Sequence, residues 1–185
     1  MSFNSDGVLD QDEALRLLEL AAAGDDAGRD VLLTVESKGS VIEGESDRRF
    51  EDGKQRMAVA GYFLNSLVDT PPGSAKGRVV NGGLTLVRYS DAATASLASL
   101  LKSQADDLKV TLSVFKAGGD DSKDEQPTLE LTLKDARVAV HCLLSGGRLG
   151  RPCEVVCFVY RSLTVASAPQ RRTGQRGAVR TCTYG

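Results

Sequence analysis

His141-Cys142 is the one place in this 185-residue chain where a base stands beside a nucleophile, and His141 is its only histidine. A nucleophile and its base must converge on one point. These two lie in Arg137–Leu144, an alternating stretch that reads as a strand, and neighbours on a strand point to opposite faces. The pair therefore fails on geometry. The same alternation turns Cys142 to the core with Val138 and Val140 and leaves His141 outside.

The thiols of Cys153-Glu-Val-Val-Cys157 share a strand face but stand about 13 Å apart, too far for a disulfide or a shared metal. With Cys142 and Cys182 they read as free thiols of a reducing compartment. Asp120-Asp121-Ser-Lys-Asp124-Glu125 has the acids of a calcium loop without its central glycine or closing glutamate, so it reads as a hairpin tip. Gly146-Gly147-Arg148-Leu-Gly150-Arg151 lacks the lysine and hydroxyl of a phosphate loop and reads as a turn. No metal cluster, carboxylate pair or triad emerges. The chain is expected to be no enzyme and to need no cofactor. Function must come from surface and shape.

Two charged regions mark that surface. The first thirty residues hold eight acids against Arg16 and Arg29. The end of the chain, from Arg161 on, holds five arginines and no acid, with Arg171, Arg172, Arg176 and Arg180 as a basic patch. No aromatics stand among them to stack on bases, so nucleic acid is not expected as a partner. Opposite charges at the two ends suit contact between copies, where they set orientation more than strength.

The elements that carry these groups follow from periodicity. The formal charge of −2 and 41% hydrophobic content fit one globular domain with an arm. No apolar run is long enough to cross a bilayer, and the acidic start does not read as a secretory signal. Asp10 and Glu13 open an amino-terminal helix with a capping box. Leu108, Val110, Leu112 and Val114 alternate with Lys109, Thr111 and Ser113 as a half-buried strand. Further strand signals fall at 31–36, 57–64, 79–80, 84–89, 129–134, 137–144, 153–163 and 178–184. Asp69-Thr-Pro-Pro-Gly is a turn. Asp91 to Ser103 is the one clear internal helix, capped by Ser90 or Asp91. Ser37 to Gln55 is an extended projecting hairpin or a mobile loop. Many short strands with regular turns mean an all-β sandwich or barrel with one accessory helix.

One strand breaks the alternation. In CEVVCFVYR both parities are apolar, with Val155, Cys157 and Val159 on one face and Val156, Phe158 and Tyr160 on the other. Both faces must be covered. One can fill the barrel. The other needs the helix, the arm or another subunit, and Val156, Phe158 and Tyr160 are the candidate subunit-interface residues.

The order of parts resembles a known family. LTLVRYSDAATASLASLLKSQADDLKVTLSVFKAGG, residues 84–119, is similar to the middle of the hemolysin-coregulated protein (Hcp) family, tail-tube subunits of type VI secretion systems. Val87, Arg88, Asp91 and Ala93 stand at the family's entry to its helix, and Lys109, Val110, Leu112, Ser113, Val114, Lys116, Ala117, Gly118 and Gly119 at its next strand. EVVCFVYRSLTV resembles a later strand that opens on glutamate. The resemblance implies a mainly β fold: a small two-sheet antiparallel β-barrel at 31–185 with one flanking helix, preceded by an acidic helical arm at 1–30. It implies hexameric rings stacked into a tube inside a contractile sheath, tipped by a spike and built on a baseplate. Such a tube assembles in the cytoplasm and is expelled without a signal peptide or membrane insertion, carrying small effectors in its lumen. The family's early extended loop reaches the adjacent ring, and Ser37–Gln55 would be its counterpart. Its candidate contacts are Glu43, Glu45, Asp47, Arg48, Arg49, Glu51, Asp52 and Lys54. The alternatives are a tube protein of another contractile system or a monomeric barrel that binds a small ligand.

Overall fold

Leu108, Val110, Leu112 and Val114 all turn inward, as their alternation requires, and every one is buried. Their strand is one stave of a closed barrel. A computed structural model describes residues 29–48, 50–73, 75–116, 126–145, 151–168 and 177–185. In chain order the strands are β1 (Arg29–Ser37), β2 (Ser40–Val41), β3 (Met57–Ala58), β4 (Gly61–Phe63), β5 (Ser66–Asp69), β6 (Arg78–Asn81) and β7 (Leu84–Tyr89). Helix α1 (Thr94–Ser103) follows, then β8 (Leu108–Lys116), β9 (Leu129–Leu144), β10 (Cys153–Val159), β11 (Ser162–Ser167) and β12 (Arg180–Tyr184). The predicted amino-terminal helix lies outside the described residues. Arg29 and Asp30 belong to β1 rather than to an arm.

All pairings are antiparallel. One sheet runs β1–β8–β9–β11–β12, with β2 and β3 on the free side of β1. The other runs β9–β10–β7–β4. Two segments belong to both sheets and close the barrel. The sequence pattern divides 129–134 from 137–144, but they are halves of one 16-residue strand, β9. Its first half pairs with β8 and β11, its second with β10. The bend falls at Asp135, held at φ +48°, where β9 carries one residue more than β8. An extra residue bends a strand and raises its twist. The other corner is 57–63. Met57 and Ala58 pair with β1, the Val59 amide donates to Val31 O, and the Ala60 amide donates to Val87 O before β4 joins β7.

The strand expected at 153–163 is likewise two, parted by a turn at Tyr160-Arg161. The Arg161 amide donates to Lys134 O there. The doubly apolar β10 is covered on both faces within one chain. Val156 and Phe158 join Leu33, Leu86, Leu112, Leu133 and Leu97 of α1 in the main core. Val155 and Cys153 pack on the opposite face with Val87, beside Tyr89, Cys142 and Leu144.

A second irregularity reverses an expectation. Cys157 faces Val140 across the ladder but Phe158 faces Val138, so Ala139 is an extra residue in β9. A one-residue slip moves every later side chain to the other face. Val138 therefore lies in the main core, while Cys142 sits with Cys153 on the far face. His141 turns inward with a side chain only 5% exposed.

That inward turn completes a buried ion network. Arg88 on β7 and Glu154 on β10 are direct cross-strand partners, both fully enclosed. Arg88 Nη1 donates to Glu154 Oε1 at 2.5 Å, and His141 Nε2 lies 2.7 Å from Glu154 Oε2. Arg88 Nη2 pairs with Asp91 Oδ1. Asp91 Oδ1 also accepts from the Ala93 amide, and Thr94 Oγ1 accepts from the Asp91 amide. The helix begins at Thr94, three residues past the expected start, because Asp91 to Ala93 form a turn ahead of it. Its N-cap position is Ala93, with no side-chain cap; Asp91 serves the preceding turn, and the Ser90 hydroxyl is buried without a partner.

Two outcomes check this arrangement. Removing one member of a buried ion pair strands the other charge and costs about 3–5 kcal/mol, whereas an exposed pair is worth about 0–1 kcal/mol. Urea unfolding should thus show Glu154→Ala far less stable than Lys109→Ala, which breaks the surface pair between Lys109 and Glu36; equal losses would refute the network's role. Burial raises the pKa of the Cys153 and Cys157 thiols, only partly offset at Cys157 by a hydrogen bond with Thr85. Iodoacetamide followed by mass spectrometry should label exposed Cys182 in the native protein and Cys153 and Cys157 only after unfolding.

Candidate functional site

The segment 42–56 carries most of the charges expected to reach a neighbour. Of the expected Ser37–Gln55 hairpin only the start forms one, where β2 turns back on β1 through Lys38-Gly39. Segment 42–56 folds back on the barrel, and its chemistry explains why. The Ile42 amide donates to Val35 O, and the Ser46 amide to Arg56 O. Ser46 Oγ accepts from the Arg56 amide at 3.0 Å. Gly44 is required at this close crossing, since a Cβ there would lie 2.6 Å from Arg56 O. Arg48 then lays its guanidinium 4.0 Å from the centroid of Phe115 and pairs with Asp30. Phe50 meets the same ring edge-on, with centroids 6.3 Å apart. Arg56 covers Phe50 from 4.4 Å and pairs with Asp52. The Arg56 hydrogen bond, and then the Lys54 amide, lower the pKa of the Asp52 carboxyl. Glu45 Oε1 accepts from the Ala92 amide just ahead of α1.

The predicted loop contacts thus divide. Arg48 is turned inward as a latch. Glu43, Glu45, Asp47, Glu51 and Asp52 are exposed, and Lys54 is half-buried. Arg49 lies outside the described residues. The candidate interface strand is corrected outright: Val156 and Phe158 are fully enclosed in the chain's own core, because the barrel closes over that face. Tyr160 is not on the strand but in the turn after it, packed partly against the core. Of the basic patch, Arg171, Arg172 and Arg176 lie outside the described residues. Arg180 is exposed on β12, which pairs with β11 alone.

A different element carries much of the exposed apolar surface, apart from isolated Leu143 and Val179. Strands β5 and β6 form a separate two-stranded sheet and hydrogen-bond only to each other. Leu67 pairs with Val80 and Val68 with Val79, and all four are exposed, Val68 by 60%. Tyr62 and Phe63 of edge strand β4, just before the hairpin, are also exposed. A lone hairpin is marginal in water, and contiguous exposed apolar surface marks an interaction site. The sequence contained the signal. Leu67-Val68 and Val79-Val80 stand on either side of residues 69–78, which open on the Asp69-Thr-Pro-Pro-Gly73 turn. What it lacked was any sign that the pair would stand clear of the core.

Among the described residues no group of three or more histidine, cysteine or acidic side chains is placed to hold a metal. None of their helices is long and apolar enough to cross a membrane.

Solved structures share this architecture. Hcp1 from Salmonella typhimurium superposes with a TM-score of 0.65 at 20% identity, over 85% of this chain and 94% of that one. A mutant form of Hcp1 from E. coli EAEC 042 gives 0.63 at 14%, over 84% and 99%. A type VI secretion system effector from Yersinia pestis gives 0.58 at 18%, over 82% and 98%. At these identities the likeness speaks for the fold. No curated protein matches the chain. The family model described as "Type VI secretion system effector, Hcp" matches residues 33–166, well over half of the sequence. With the barrel, its single described helix and the Arg88, Asp91 and Glu154 motif positions all in place, the chain belongs to the Hcp family of type VI secretion proteins.

Proposed function

We propose that the protein is a structural subunit of the inner tube: six copies close a ring, rings stack, and sheath contraction expels the tube with small effectors in its lumen. The β5–β6 hairpin is the observation that carries this reading. The barrel buries most of the apolar residues of its own strands, yet this hairpin leaves Leu67, Val68, Val79 and Val80 exposed, half of the large apolar side chains exposed among the described residues. A second copy of the chain is the partner that buries them. The role is non-enzymatic. Assembly takes place in the cytoplasm, and expulsion by the machine needs no signal peptide. Spike, sheath and baseplate are the further partners.

The charged surface supplies the reversible part of the contact. Glu43, Glu45, Asp47, Glu51 and Asp52 offer a polar stacking face that salt screens. The acidic first thirty residues and the basic patch of Arg171, Arg172, Arg176 and Arg180 are suited to meet between copies and fix their orientation. A monomeric ligand barrel is disfavoured, because Leu33, Leu86, Leu112, Leu133 and Phe158 fill the interior.

Light scattering with negative-stain imaging tests the reading. Six-fold rings are expected, and tubes at high concentration. Leu67→Asp should abolish rings while leaving the thermal midpoint of the monomer unchanged, since burying a leucine is worth about 1.5–3 kcal/mol at each contact and its exposed position costs the fold nothing. Rings that persist in Leu67→Asp would remove the hairpin from the interface. Rising salt should dissociate stacked rings before single rings; tubes indifferent to salt would remove the acidic loop from the stacking face. A strict monomer at every concentration would count against the tube itself.

A further inference from the structure

The bend of β9 opens a cleft of about 310 Å³ at one end of the barrel, which no part of the assembly reading uses. Asp135 and Arg137 line it from the bend, Val159, Tyr160 and Arg161 from the β10–β11 turn, and Asp106 from the link between α1 and β8. The space equals about ten waters and falls at the lower end of small-molecule sites.

Its chemistry is unspent. Two carboxylates and two guanidiniums line one cleft, yet none of the four side chains pairs with another described residue. Opposite charges within reach of each other pair readily. Charges that share a cleft without meeting are separated by a gap, and a small molecule with both signs can bridge it. The Tyr160 side chain backs the lining, but its hydroxyl is buried out of reach of the cleft. Asp135 is held in the left-handed region at the cleft's wall, a conformation that costs a non-glycine residue energy and clusters at binding sites. Val159 gives the lining an apolar side chain that suits a short aliphatic group.

We propose that this cleft binds a small zwitterion of amino-acid size, its carboxylate held by Arg137 and Arg161 and its ammonium by Asp106 and Asp135. The site lies on one subunit and does not depend on the tube reading.

Calorimetric titration of the full chain with free L-alanine and L-glutamate tests it, with N-acetyl-L-alanine and L-alaninamide as ligands that keep one charge each. Binding is expected for the zwitterions, weakened about tenfold or more for either half-charged ligand, the loss of one charge-assisted contact. Arg161→Gln and Asp106→Asn should each weaken binding by a similar factor with unchanged unfolding midpoints, since both side chains are exposed. Tyr160→Phe should leave it unchanged, since the hydroxyl does not reach the cleft. The titrations are run on the wild-type chain and on Leu67→Asp, so that a cleft covered in the ring is still open in one sample. Heat in neither sample, equal affinity for the half-charged ligands, or unchanged affinity in both variants would overturn the site. Ring formation is scored separately, so loss of the tube and loss of the zwitterion site are told apart.

Discussion

Arg88 and Glu154 have no exposed surface, and neither charge is tolerable there without the other. Burying two ions costs more than their attraction returns unless every donor and acceptor is placed. Here the partners come from different elements. Arg88 is on β7, Glu154 on β10, His141 on β9 and Asp91 at the start of α1. Only the correct docking of three strands and a helix brings them together, and Arg88 Nε still lacks a hydrogen-bond partner. The network therefore acts less as a source of stability than as a condition on register. A slip of β10 by one residue would bury Glu154 against apolar neighbours.

The same docking reaches the surface. Asp91 holds both the guanidinium and the Ala93 amide, so the ion network and the helix start share one carboxylate. The neighbouring Ala92 amide is taken by Glu45, which ties the segment 42–56 to the helix entry. The Arg48 guanidinium and the Phe50 ring both rest on Phe115 and pin the middle of that segment to β8. A charged stretch that could project is held flat, and its remaining acids form a fixed outer face.

Closure of the barrel decides what is left to interact. Segment 57–63 and the bent β9 each serve both sheets, so the apolar faces of β7 and β10 are used up inside the chain. The β5–β6 hairpin leaves the ladder between β4 and β7 and gains no such cover. Much of the exposed apolar surface thus falls to an element that is a minor part of the sequence.

The sequence by itself determined most of the strands, the internal helix and the Pro-Gly turn, because alternation, helical spacing and Pro-Gly punctuation are local. Leu108 to Val114, the helical spacing of Leu97 and Leu101 and the Pro-Pro-Gly turn could be read directly, whereas β5 and the limits of β9 and β10 could not. The family motif also named Arg88, Asp91 and Glu154, though not that they meet. What only the tertiary structure decided was which face each side chain takes and which surface stays free. One extra residue at Ala139 exchanged the places of His141 and Cys142, and no composition or period signals a bulge. Both apolar faces of β10 were visible, but whether a second sheet or a second subunit covers Val156 and Phe158 depends on contacts far apart in the chain. Burial is a property of the closed barrel, and pattern reports only the need for it.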